Sequence, residues 1–387
     1  ALREADWVVD GLLGTGFKGL LSPFYGDLIK AINDCAKKVI SVDVPSGLCA
    51  SKGLPKPVAV FAKKTVTFEG YKRGFLNYEA LPYLGEVVVC PVGIPEKAKA
   101  SIREKMYLVD EAMASSLVPK RAVTGHKNEY GEVLIVAGSF GYTGAALLTT
   151  EGALVSGAGL VRLTSHEAVL ALMVPRLTEA MGLPLGKIEE GILKAQVVAF
   201  GPGLGSGRET SKLLLQVIQL LQELAETKKV LVLDADGLNV LEGKTALLKS
   251  LSFPVVLTPH PGEMARLLGI SKAEVEAHRM EYAKAFAKEH GVVLVLKGYQ
   301  TIITDGEEVY VNTTGTSAMA QGGMGDALTG IISAFIAQGL SPMKGAILGV
   351  YLHGAIGSDL GRTHYSIKAS DLLKEVPKGL KSLQEKR

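Results

Sequence analysis

Cysteine is scarce: 387 residues contain only Cys35, Cys49 and Cys90. The number is odd and the spacing fits no metal-ligand pattern, so a disulfide framework is not expected. Buried apolar thiols in a reducing, cytoplasmic compartment are the expectation instead. No uninterrupted apolar run reaches the roughly 18 residues of a membrane span, and no secretory leader is expected. Charge of neither sign dominates. The formal net charge is +3 with 21% charged residues, which leaves no electrostatic footprint for nucleic acid or an anionic membrane. Short-period repeats and low-complexity tracts are also missing. The initial methionine is absent, and Ala1 to Trp7 run straight into the apolar segment Trp7–Leu13. That opening leads us to expect a chain truncated at its N-terminus.

What is present is apolar residue and glycine. Hydrophobic residues make up 47% and glycines number 45. This length exceeds the usual limit of one core, so two domains are expected. Val8-Val9, Val39–Val42, Thr65–Phe68 and Glu86–Cys90 read as strands, with a helix over Phe24–Lys37 between the first two. Strands alternating with helices imply a parallel sheet. Pro91 to Arg121 reads as a linker holding a charged helix, Glu96–Lys105. Beyond it come Val133–Ala137, Leu160–Leu163, Val197–Phe200, Val230–Leu233, Val255–Leu257 and Val292–Leu296. Nearly all are continuously apolar, as in a sheet covered on both faces. Ser211–Lys228 has helical period, and Thr301–Thr304 with Val309–Val311, split by Asp305-Gly306, reads as a hairpin.

The strongest chemical signal is Gly322-Gly323-Met324-Gly325-Asp326, which opens into the apolar run Ile331–Ile336. A glycine turn feeding a helix N-terminus presents free N–H groups and the positive end of the dipole to an anion. Asp326 could take a proton from a substrate hydroxyl there; the plainer reading is a helix cap. Three more polar clusters follow apolar strands: Asp234–Asn239, Thr258–Glu263 and Lys297-Gly298 with Thr301. In open parallel sheets ligands bind beyond the C-terminal strand ends. Each cluster alone is more often a turn, and four together argue for a site.

This pattern resembles the ribokinase-like superfamily, in which the matching Asp deprotonates a hydroxyl and the turn forms an anion hole. More closely, residues 106–387 resemble the NAD(P)H-hydrate dehydratase family, ADP-dependent in bacteria and ATP-dependent in eukaryotes. The matching motifs include Gly125-His126-Lys127 with Tyr130-Gly131, Ala137-Gly138-Ser139 and Tyr142-Thr143-Gly144-Ala145-Ala146. Further along are Gly157–Val161, Gly201-Pro202-Gly203-Leu204-Gly205, Asp234–Asn239, Thr258–Glu263, Leu296-Lys297-Gly298 and Asn312–Gly330. Asp10–Gly16 and Ser41–Gly47 resemble the NAD(P)H-hydrate epimerase domain, often fused ahead of the dehydratase in bacteria.

The resemblance implies an α/β architecture: a ribokinase-like three-layer domain with a central, mostly parallel sheet over 106–387. Ahead of it a partial Rossmann-like α/β epimerase domain would occupy 1–105, its front half missing. The family's Asn-Gly-Gly-Asp-Gly loop occurs nowhere in the sequence, so weak or no epimerase activity is expected. The implied reaction phosphorylates the hydroxyl of hydrated NADH or NADPH (NADHX, NADPHX) with ADP or ATP and Mg²⁺, after which phosphate leaves. Carried over residue by residue, Ala145, Gly203, His260 and Asp326 contact the hydrate. Lys297, Gly298, Tyr299, Gln300, Thr301, Gly322, Gly323 and Gly325 contact ADP. In the N-terminal domain Gly14, Thr15, Gly16, Phe17, Lys18, Gly19, Leu20 and Asp43 contact substrate, and Asp10 with Ser46 binds K⁺. A cytoplasmic homo-oligomer, a tetramer or larger, is implied as well.

Plainer readings stand beside these. His260 can be a turn histidine between two prolines, Lys297 an exposed strand-end lysine, and His126-Lys127 a solvated loop. Asp236 with Asn239 can shape a turn, Asp43 can be a strand-end residue before Pro45, and Asp234 could order Mg²⁺ through water. Thr316 replaces the family's usual Asn and Met324 its usual Thr; Met324 is tolerable if the anion hole uses backbone N–H groups only. Two other functions fit part of the pattern: a vitamin-precursor kinase acting on hydroxymethylpyrimidine or hydroxyethylthiazole, and a non-catalytic nucleotide sensor.

Overall fold

The computed structural model describes residues 2–102, 105–224, 226 and 228–387. The chain divides into two compact units, Ala1–Arg103 and Glu104–Arg387. In the first, β1 (Val8–Asp10), β2 (Val39–Val42), β3 (Lys64–Phe68) and β4 (Glu86–Cys90) form an all-parallel sheet in that order. Helix Pro23–Cys35 crosses from β1 to β2; proline occupies its first turn, where no N–H is needed, and Ile29 and Ile32 are buried. The charged helix expected over Glu96–Lys105 is shorter, Glu96–Ala100; residues 103 and 104 lie outside the described residues.

The second unit is built on ten strands: β5 (Met106–Val109), β6 (Glu132–Val136), β7 (Leu160–Ser165), β8 (Met181–Pro184), β9 (Val197–Phe200), β10 (Val230–Leu233), β11 (Val255–Leu257), β12 (Val293–Leu296), β13 (Thr301–Thr304) and β14 (Val309–Asn312). Their order is β5-β14-β13-β12-β11-β10-β9-β6-β7-β8. Only β13 runs antiparallel to its neighbours. Two strands are absent from the sequence reading, β5 and β8, and they are the two edges. β8 contains Gly182 and Pro184, residues that weaken a strand signal yet are tolerated at an edge.

Apolar runs become central strands because both sheet faces are covered. Val133, Ile135, Val197, Ala199, Val230 and Val232 join one core with helices Thr143–Val155, Met324–Ala337, Pro342–Leu360 and Ala369–Glu385. The alternate residues Leu134, Val198 and Leu231 are just as fully buried, and alternation points them to the opposite face. Helices Thr143–Val155 and Met324–Ala337 touch backbone to backbone. A Cβ on Gly330 would lie 2.1 Å from the Thr149 carbonyl oxygen, and one on Gly152 would lie 2.5 Å from that of Ala327. Among the described residues no helix is long and apolar enough to cross a membrane.

Candidate active site

The C-terminal ends of β10, β11 and β12 and the β14 loop surround a cavity of about 650 Å³. Its lining includes Asp234, His260, Lys297, Gly298, Tyr299, Thr301, Gly322, Gly323, Met324, Gly325 and Asp326. Four clusters that are far apart in sequence therefore converge at one place. Gln300 is adjacent in sequence but buried, with φ 56°, and does not line it.

The glycine turn enters helix Met324–Ala337 with Gly323 as N-cap in the left-handed region, φ 91°. A side chain there would be strained and would also meet Leu148 Cδ1 at 2.5 Å. Among the described residues, none of the N–H groups from Gly322 to Asp326 donates to a protein acceptor. Unpaired N–H groups at a helix N-terminus are the arrangement that suits an anion. Asp326 follows in the first turn of that helix, its side chain not capping the N-terminus. Burial pushes its carboxyl up to about 6, with the charges of Asp234 and Asp236 adding to burial and Lys297 opposing it. A carboxylate poised there is ionised near neutrality yet basic enough to accept a proton.

Lys297 is not the exposed strand-end lysine of the plainer reading. It lies 2.6 Å from Asp234 Oδ1 and 3.9 Å from Glu263 Oε2, and its side chain is 16% exposed. Burial works against its charge, but Asp234 and Glu263 outweigh that and raise its pKa. The second oxygen of Asp234 accepts from Thr329 Oγ1 at 2.8 Å. Burial alone would raise the Asp234 carboxyl; Lys297, Thr329 and Thr258 hold it below the ordinary range. Glu263 is shifted up by burial and by Asp234 despite Lys297. A Cβ on Gly325 would come 3.1 Å from Lys297 Nζ, so the ammonium stands directly against the glycine turn.

His260 caps helix Pro261–Leu268. Its Nδ1 accepts from Gly262 N at 2.9 Å and Glu263 N at 3.2 Å, while Glu263 Oε2 accepts from His260 N at 2.7 Å. With Nδ1 acting as acceptor, the neutral ring carries its proton on Nε2. Burial, then Lys297 and Arg266, lower the pKa and favour that neutral form. His260 is thus a turn histidine that also lines the cavity, its Nε2 lying 3.5 Å from Glu263 Oε1.

Ala145 and Gly203 do not line this cavity but lie together: a Cβ on Gly203 would be 3.0 Å from Ala145 Cβ. Asp236 links them to the centre, accepting from Gly205 N at 2.7 Å while its charge acts on Asp326. Asn239 donates to Asp236 Oδ1 at 3.1 Å, and so this pair does shape a turn. His126 caps the short helical turn Lys127–Tyr130.

Two residues with a part in the site carry no readable sequence signal. Arg279 is buried and donates to the carbonyls of Leu296 at 3.2 Å and Tyr299 at 3.0 Å, holding the loop that bears Lys297. His353 lines the cavity, and burial holds its pKa down to about 4. No hydrophobic period or motif marks either one.

In the first unit Asp10 is buried and accepts from Ser41 Oγ at 2.8 Å, Ser46 N at 2.9 Å and Ser46 Oγ at 2.6 Å. Asp43, with φ 65°, is held 2.7 Å from Lys72 Nζ and accepts from Phe68 N at 2.9 Å. Burial works to raise its pKa, but Lys72 and the Phe68 N–H outweigh it and keep the carboxylate ionised. Gly14, Thr15, Gly16, Lys18, Gly19 and Leu20 are exposed, with Phe17 partly covered.

Fold and site together define an enzyme of ribokinase-like architecture, with a glycine turn at a helix N-terminus beside a buried carboxylate. Residues 133–378 match the family model described as NAD(P)H-hydrate dehydratase, and residues 1–74 match that of the YjeF-related protein N-terminus. The bifunctional NAD(P)H-hydrate repair enzyme Nnr of Moorella thermoacetica is 39% identical over 402 aligned residues, covering all of this chain and 74% of that protein. The Escherichia coli protein of the same name is 35% identical over 91% of this chain and 67% of its own length. Among solved structures, the ADP/ATP-dependent NAD(P)H-hydrate dehydratase of Bacillus subtilis, co-crystallised with ATP/Mg²⁺, superposes with a TM-score of 0.62 at 32% identity. It covers 72% of this chain and 98% of that one. A ribokinase-like superfamily protein from Enterococcus faecalis gives 0.65 at 28% identity, covering 72% of this chain and 97% of that one. The chain belongs to the family of bifunctional NAD(P)H-hydrate repair enzymes.

Proposed function

We propose that the second unit dehydrates hydrated NADH or NADPH at the expense of ADP or ATP. Hydroxide is a poor leaving group, so the ring hydroxyl is first phosphorylated. Asp326 accepts the hydroxyl proton as the oxygen attacks the terminal phosphorus, and the bond from that phosphorus to the nucleotide breaks. The N–H groups of residues 322–326 and the Lys297 ammonium balance charge on the transferring phosphoryl group. Phosphate then leaves with its electron pair as the neighbouring ring carbon gives up a proton, restoring the double bond. His260 Nε2–H is a donor to the hydrated dinucleotide, and Ala145 and Gly203 form its contact surface. Gly298, Tyr299 and Thr301 border the nucleotide, while Gln300 acts through the backbone of that loop.

No cluster of three or more His, Cys, Asp or Glu among the described residues could hold a metal. Both Asp234 oxygens are already engaged, by Lys297 and Thr329. Mg²⁺ therefore fits as part of the nucleotide substrate, bound by phosphate oxygens and water, and no step above is routed through it. In the first unit both Asp10 oxygens are likewise engaged, by Ser41 and Ser46, so a K⁺ ion would take the Asp10 carboxylate and Ser46 hydroxyl only by displacing those bonds; Asp43 is the unit's candidate proton acceptor.

The observation that carries the reading is a carboxylate with its pKa pushed up to about 6 next to N–H groups with no protein acceptor among the described residues. The test is to incubate the chain with hydrated NADH and ADP or ATP. NADH absorbance and free phosphate should appear in equal amounts. A stable phosphorylated product would identify a small-molecule kinase, and nucleotide binding without turnover would identify a sensor.

A further inference from the structure

The turn just before Ala145 presents two aromatic rings outward. Phe140 is 66% exposed and Tyr142 64%. Neither ring stacks on another aromatic ring among the described residues. An exposed ring on a loose loop means little, but this turn is pinned. Gly138 N donates to the Pro202 carbonyl at 2.9 Å, Tyr142 N donates to that of Ser139 at 2.9 Å, and Ser139 Oγ donates to that of Gly203 at 2.7 Å.

The fit against Gly203 is closer still. Gly203 has φ 65°, and a Cβ on it would lie 2.8 Å from the Tyr142 carbonyl oxygen and 3.0 Å from both Tyr142 Cβ and Ala145 Cβ. Tyr142 therefore leaves the backbone at the point where Gly203 and Ala145 meet. Two residues further on, Gly205 N donates to Asp236 at 2.7 Å, and the charge of Asp236 acts on Asp326. The backbone that bears this half-apolar ring is thus held at a fixed place beside the expected hydrate contacts. The ring can offer a flat face at small entropic cost, because the loop is already ordered.

We infer that Tyr142 is a substrate-contacting residue whose ring is the platform for a flat, conjugated ring of the hydrated dinucleotide, beside Ala145 and Gly203. This rests on the reaction proposed above. The ligand carries one such ring, adenine; its hydrated ring is largely saturated and puckered and offers no comparable flat face.

The test compares Tyr142→Ala, Tyr142→Leu and Tyr142→Phe using hydrated NADH and its mononucleotide counterpart, hydrated NMNH. Loss of one ring–base stack raises KM about tenfold. KM for hydrated NADH should rise by that factor in Y142A and Y142L, stay near the parent value in Y142F, and leave kcat and the KM for ADP little changed. Because hydrated NMNH lacks adenine, Y142A should leave its KM untouched; an equal rise in KM for both substrates overturns the platform. An unchanged KM for hydrated NADH in Y142A overturns it. So does a parallel rise in KM for ADP, which would mean general damage to the loop. Failure of the unaltered chain to convert hydrated NADH would instead remove the proposed reaction.

Discussion

Replacing Asp326 with Asn should weaken catalysis and strengthen the fold. The carboxyl moves from an ordinary value of 3.8 to about 6, burial being the main cause. At about 1.36 kcal/mol per pKa unit, keeping it ionised in the native state costs at most about 3 kcal/mol at neutral pH. The sign follows from the raised value. Relative to the unfolded chain, the native state holds this proton more tightly. Its stabilising contribution is complete below pH 3.8 and is lost as pH rises through about 6. Asn has a similar shape and never ionises, so D326N should escape the cost. At pH 7 it should denature at higher urea and melt a few degrees higher, at the roughly 2–4 °C per kcal/mol usual for a unit this size. Near pH 4 the two proteins should converge. Meanwhile kcat should fall by about 10²–10⁴-fold, the usual worth of a general base. In the unaltered enzyme, kcat/KM should drop about tenfold per pH unit below pH 6, because only the ionised carboxylate accepts the proton. Denaturation of both proteins across pH 4–8, alongside the NADH-recovery assay, checks every part. A D326N variant that keeps a tenth or more of the parent kcat, or that is equally stable at pH 7, would refute the reasoning.

Lys297→Met leaves Asp234 and Glu263 buried without their cation. The second unit should lose on the order of 3–5 kcal/mol in urea denaturation, and turnover should become undetectable. Gly323→Ala forces a side chain into φ 91° and onto Leu148; nucleotide affinity in titration calorimetry should fall about tenfold or more, from strain of about 1–3 kcal/mol. Arg279→Met frees the carbonyls around Lys297, so KM for ADP should rise more than KM for the hydrate, checked by steady-state kinetics. Asp10→Ala leaves the Ser41 hydroxyl and the Ser46 N–H without their acceptor in a buried spot, while the Ser46 hydroxyl keeps Leu13. The first unit should lose about 1–3 kcal/mol, and hydrogen exchange should quicken around β1 and β2 but not in the second unit.

The parts of the fold legible in the sequence are those set by local pattern. Val197–Phe200 and Val230–Leu233 are unbroken apolar runs that only a doubly covered sheet accommodates, and the structure places them at its centre. The turn at 322–326 is equally local, since its glycines and the apolar helix after it are contiguous. What escaped depends on distant partners. Met106–Val109 is a strand only because it pairs with Val309–Asn312, and Met181–Pro184 is held only along one edge. The surroundings of Lys297 come from Asp234, 63 residues earlier, so sequence left it as an exposed lysine or a point charge. For the same reason the position of His260, capping a helix through one nitrogen while it lines the cavity, appears only when the ring is placed.

The backbone contact between helices Thr143–Val155 and Met324–Ala337 sets a fixed reach inside the enzyme. One helix starts beside Ala145 and the other carries Asp326, and no side chains separate them where Gly152 and Gly330 meet their partners. Without a compressible layer at that crossing, neither helix can slide to suit a longer or shorter molecule. On the proposed reaction and ring platform, the span from Tyr142 to Asp326 is thereby a ruler, and it would admit ligands by where along their length the hydroxyl falls.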